Sequence, residues 1–122
     1  MSAVIRCFIT TDNQPYAVVA PGMHDLGCLL ADIGDDATAI ARVLGRIAEV
    51  ESGKRPHATA WHGDGYWATV LNNTTVSIGL AVPGPVRSTL RLSLADFKDA
   101  MTKWSAVCNE LNDRATEADP TP

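Results

Sequence analysis

The 122-residue sequence predicts an α+β domain: a mainly antiparallel sheet of about six strands, with two long amphipathic helices packed on it. Three observations carry this. Short β-branched runs alternate with Gly, Pro and Asn punctuation. Two stretches, near 35–52 and 93–111, repeat apolar residues at helical spacing. Hydrophobic residues make up 46% and charged residues 20% of the chain, as in globular proteins that bury a core. A chain of this length removes roughly two-thirds of its unfolded surface from water, so one domain can fold without a disulfide or a metal.

The elements follow in order. Ala3 to Thr10 and Pro15 to Val19 flank the polar Thr11-Asp12-Asn13-Gln14 and read as a hairpin. Pro21-Gly22 then interrupts the chain. His24 to Gly34 reads as a loop or a short helix: Leu26, Leu29, Leu30 and Ile33 suit one helical face, while Gly27 and Gly34 weaken it. Asp35-Asp36 opens a clear helix, with Ile40, Val43, Leu44, Ile47 and Val50 on one stripe. The aspartates supply an N-cap and negative charge at the positive end of the dipole. Ser52-Gly53 and Pro56 supply the stop. Gly45, unfavourable inside a helix, suggests close packing by another element.

A strand meander follows. Ala58 to His62 leads into Gly63-Asp64-Gly65, a hairpin loop whose glycines are free to adopt positive φ. Tyr66 to Leu71 returns, Asn72-Asn73 turns, and Thr75 to Val82 alternates Val76, Ile78 and Leu80. Pro83-Gly84-Pro85 breaks the run before Val86 to Leu92, where Val86, Leu90 and Leu92 can face inward. Ser93 and Asp96 resemble a capping box opening a helix whose stripe is Phe97, Ala100, Met101, Trp104, Val107, Cys108 and Leu111. The domain is expected to span 1–112, with 113–122 a polar, flexible tail.

Charge and cysteines narrow the function classes. The net charge is −4, which disfavours a nucleic-acid binder, since that needs a basic patch. The acidity is local: Cys7 to Ala41 holds Asp12, Asp25, Asp32, Asp35 and Asp36 and no Lys or Arg, whereas Arg42 to Glu110 holds eight bases and six acids. Such a segment either caps a helix and faces solvent or attracts a basic partner. Three widely spaced cysteines, Cys7, Cys28 and Cys108, form no disulfide framework and read as small core hydrophobes in a cytoplasmic protein. The chain begins without a signal-peptide pattern, and no apolar run is long enough to span a bilayer.

Catalytic and metal signatures are sparse. His57, His62 and Asp64 form one candidate set for a small hydrolase or a metal site, and His24-Asp25 with Cys28 another. Neither has recognisable zinc-ligand spacing, and Gly63-Asp64-Gly65 lacks the Lys-Ser/Thr ending of a phosphate loop. The expectation is no enzyme activity and no cofactor. Trp61, Tyr66 and Trp67 flank the loop, where an exposed aromatic would suit a binding hot spot.

The run WHGDGYWATVLNNTTVSIG followed by LSLADFKDAMTKW resembles the small bacterial immunity proteins of contact-dependent growth-inhibition systems. The matching positions are Trp61, Gly65, Leu92, Leu94, Asp96, Phe97 and Trp104, within Ala58 to Leu111, under half of the chain. The resemblance implies a cytoplasmic immunity protein that binds its cognate toxin domain, a basic nuclease in the commonest case, and covers its active site with an acidic surface. Candidate toxin contacts are Asp32, Asp35, Asp36, His62, Asp64 and Tyr66, with no nucleic acid or membrane as partner.

Overall fold

A computed structural model describes residues 5–81 and 88–118. It has β1 (Ile5–Ile9), β2 (Pro15–Val19), α1 (His24–Ile33), α2 (Ala37–Glu51), β3 (Ala58–His62), β4 (Tyr66–Val70), β5 (Thr75–Leu80), β6 (Ser88–Ser93) and α3 (Leu94–Ala118). The α+β class and the six antiparallel strands are as the sequence predicts, but the strands form two sheets rather than one. β1 pairs with β2 as a separate ribbon, and β3-β4-β5-β6 form a four-stranded meander.

The core lies between the meander and the helices. Ala58, Ala60, Ala68, Val70, Val76, Ile78 and Leu92 point from the sheet towards Leu26, Leu29 and Leu30 of α1, Val43 and Ile47 of α2, and Phe97, Met101 and Trp104 of α3. The segment 24–34 is thus a helix: four leucine and isoleucine positions on one face, all buried, outweigh the cost of Gly27. Gly34 closes α1 at φ +71°, a conformation that favours glycine, and its carbonyl accepts from Trp104 Nε1 at 2.8 Å. That bond ties the middle of α3 to the α1–α2 turn.

Several local expectations change. Gly45 is exposed, and a Cβ there would meet nothing within 4 Å, so no element packs against it. Gly45→Ala should therefore stabilise the fold by ~0.5–1 kcal/mol, read as a higher midpoint in urea unfolding. The glycines of the 63–65 loop are absent from the positive-φ residues, which among the described residues are Asn13, Gly22, Gly34 and Gly53; their use is close approach, as shown below. Helix α3 continues through Ala118, past the expected end at Asn112. Strong helix formers and the Arg114–Glu110 ion pair at 3.2 Å, spaced i,i+4, carry it onward. Residues 119–122, the Pro83-Gly84-Pro85 break and the inward Val86 lie outside the described residues.

Both main helix starts form as their sequences suggest. Asp36 is the N-cap of α2, its Oδ1 accepting from the Thr38 and Ala39 amides at 2.9 and 3.3 Å. Ser93 Oγ accepts from the Asp96 amide at 3.0 Å. At the other end of α2, Gly53 at φ +80° follows the C-cap Ser52.

Candidate functional site

The five acids of the first third do not form one outward surface. Asp32, in the last turn of α1, turns toward the β3–β4 hairpin. Its Oδ2 accepts from Trp61 Nε1 at 2.8 Å and from the Tyr66 amide at 3.3 Å, and its Oδ1 accepts from the Gly65 amide at 3.2 Å. A carboxylate receiving three N–H groups of its own chain is a fastener between α1 and the hairpin. Its oxygens are engaged internally, which differs from the partner-facing position expected of it. The loop glycines admit this carboxylate: a Cβ on Gly63 would stand 2.3 Å from Asp32 Oδ2, and one on Gly65 3.2 Å from Oδ1.

The other acids divide between local work and the surface. Asp36 caps α2, as described. Asp25 Oδ1 accepts the Tyr66 O–H at 3.2 Å, so Tyr66 is a half-buried connector rather than a protruding loop tip. Burial, then hydrogen bonding to the Cys28 thiol and to Asp25, pushes the phenol well above its ordinary value. Asp12 accepts from Thr10 Oγ1 in the β1–β2 turn. Asp35 is exposed beside a cleft of about 280 Å³ that it shares with Asn13, Gln14, Pro15, Leu111, Asn112 and Arg114. The hairpin turn, the α1–α2 loop and the distal part of α3 therefore meet at this cleft, where Asp35 and Arg114 are the charged lining residues.

His62 and Asp64 are both exposed. A register shift between Thr59 and Trp61 places His62 opposite Trp67 and Trp61 opposite Ala68, so Trp61 and Tyr66 do not pair across the hairpin. His62 lines a groove of about 300 Å³ on the sheet with Thr59, Trp67, Thr69, Leu71 and Ser77. The buried Trp67 indole N–H has no hydrogen-bond partner among the described residues. His57 and His62 stand just before and at the end of β3, about 16 Å apart at the usual rise of a strand, so the set His57, His62 and Asp64 does not converge. Among the described residues, no group of three His, Cys, Asp or Glu side chains is placed to hold a metal ion.

A surface that sequence reasoning passed over lies on the ribbon. The register pairs Phe8 with Tyr16 and Arg6 with Val18, so these four side chains share one face, the other carrying Ile5, Cys7, Ala17 and Val19. The second face packs on the core, through buried Ile5 and the adjoining Cys7, Ala17 and Val19. The first is exposed: Phe8 by 39%, Tyr16 by 53% and Val18 by 49%. The Phe8 and Tyr16 rings touch, with centroids 5.5 Å apart and planes inclined by 55°. The signal was present in the sequence, because PYAVV is apolar at both parities, and IRCFI is so apart from Arg6. A half-buried strand normally alternates apolar with polar.

Among the described residues no helix is long and apolar enough to cross a membrane. Comparisons with protein-family models, curated proteins and solved structures return no match for this chain.

Proposed function

We propose that this protein is an immunity-type inhibitor, which binds a basic toxin domain and blocks its active site. The observation that carries the reading is the exposed face of Arg6, Phe8, Tyr16 and Val18 on a ribbon whose turn holds the exposed Asp12. An aromatic and aliphatic centre with charged residues at its margin is the anatomy of a protein-binding surface. Asp12 and Asp35 supply the charges that steer a basic partner. Asp32 and Tyr66, engaged inside the molecule, instead shape the fold behind this surface. The C-terminal resemblance in strands β3 to β6 and helix α3 concerns residues that are mostly core, so it supports the scaffold more than the contacts.

The test is co-expression with the toxin domain of the effector encoded immediately upstream. Survival of the host with this protein, and death without it, is expected; equal killing in both cases ends the proposal. Tyr16→Ala should weaken the complex at least ~10-fold, the scale of an aromatic hot spot, mainly by faster dissociation. Asp35→Lys should slow association at low salt and have less effect at high salt. Asp36 suits this test poorly, because reversing its charge also removes the cap of α2.

A further inference from the structure

Cys28 lies one helical turn from His24, with Sγ 3.4 Å from the imidazole Nε2. His24, Gly27, Cys28 and Ala31 form one stripe of α1 at spacings of three, one and three. That stripe faces Tyr16 to Val19 of β2 across a cleft of about 350 Å³. Lining by four consecutive strand residues marks a strand edge, and β2 is paired on its other side to β1. Gly27 keeps the floor low: a Cβ there would already touch Val19 at 3.5 Å. Tyr66, whose O–H is held by Asp25, is near enough to Cys28 for the two to influence each other's charge. The site thus combines a half-buried thiol, a base, a phenol and an extended backbone edge.

We propose that Cys28 is a thiol–disulfide exchange site for small peptide disulfides of the glutathione class. The thiol proton passes to Nε2 of His24, in the tautomer that carries its proton on Nδ1. The sulfur attacks one sulfur of the disulfide, a mixed disulfide forms at Cys28, and the original S–S bond breaks. The departing thiolate takes the proton from His24 and leaves as the free thiol, so Cys28 is oxidised as the leaving half is reduced. The peptide arm lies along the edge of β2, as an added strand would. The other two thiols are poorly placed. Cys108 is 1% exposed, and burial pushes both Cys7 and Cys108 up to about 11, which leaves few thiolates at neutral pH.

The experiment treats the full chain with excess oxidised glutathione at neutral pH and follows adducts by intact mass and peptide mapping. The expected first product carries one glutathionyl group, on Cys28, formed at least ~10-fold faster than adducts on Cys7 or Cys108. Cys28→Ser should abolish the fast product. His24→Gln, at an exposed position, should slow it at least ~5-fold with an unchanged circular dichroism spectrum. Bis(2-hydroxyethyl) disulfide, which has no peptide arm, should react more slowly than glutathione disulfide. A first adduct on Cys7 or Cys108, or no adduct, overturns the site in the wild-type chain alone. A folded His24→Gln variant reacting at the wild-type rate removes His24 as the base. A non-peptide disulfide reacting as fast as glutathione disulfide removes the strand-edge contact.

Discussion

Asp32→Ala should lower the unfolding free energy by about 3 kcal/mol, by the loss of charge-assisted hydrogen bonds that leaves their donors unpaired. The measurement is urea unfolding, where the midpoint should fall with no change in slope. Three donors lose their acceptor together: the Trp61 indole N–H and the Gly65 and Tyr66 amides. Asp32 is half-buried, so water replaces part of what is lost, and the figure stays below that of a fully buried ion. Asp32→Asn retains one oxygen and should cost about half as much. A change under ~0.5 kcal/mol for Asp32→Ala, the range of an ordinary surface substitution, would show that the carboxylate only decorates the hairpin. Because this residue braces the scaffold, the variant should weaken a partner complex only in proportion to the unfolded fraction.

Gly63→Ala should be nearly as damaging, at ~2–3 kcal/mol, from overpacking at a site with no room. The added Cβ would stand 2.3 Å from Asp32 Oδ2 and 2.7 Å from Trp61 Nε1, so it separates the two partners of the shortest of the three bonds. The two substitutions act on one structure and should not add. In the double variant Asp32→Ala/Gly63→Ala the carboxylate clash is gone, though the Trp61 ring still obstructs. The pair should therefore cost less than the sum of the singles, by ~1 kcal/mol or more for residues in direct contact. Full additivity in urea unfolding would place the Gly63 requirement elsewhere, in the Trp61 ring alone. Gly45→Ala supplies the contrast, a glycine in a helix with open space around it.

The legible parts of the fold were those governed by local rules. The stripe of α2, its Asp36 cap, the Ser93 start of α3 and the turn at Asn72 depend on spacing and on residues close in sequence. Asp32 was not legible in this way. Its partners lie 29 to 34 positions away, and an acid in the last turn of a helix reads equally well as a solvated charge. The loop glycines were recognised, but positive φ was the wrong reason for them, since the demand comes from a side chain on another element. The end of α3 is not legible from polarity alone, because Arg, Glu and Ala continue a helix well through Ala118. Phe8, Tyr16 and Val18 are not legible as a surface, because both faces of a largely apolar ribbon look buried until the fold shows which one the helices cover.

The division into two sheets also bears on how the molecule opens. Among the described residues β1 and β2 share their ladder only with each other, and they are held to the rest by side-chain packing and by Lys103 Nζ donating to the Ile5 carbonyl at 3.1 Å. Two strands by themselves are marginal in water, so the ribbon depends for its stability on its packed face, above all on buried Ile5. The amides of β1 and β2 should therefore exchange faster than those of the β3–β6 meander, which hydrogen–deuterium exchange would check. A partner that binds the surface carrying Phe8 and Tyr16 only in the closed state should slow that exchange.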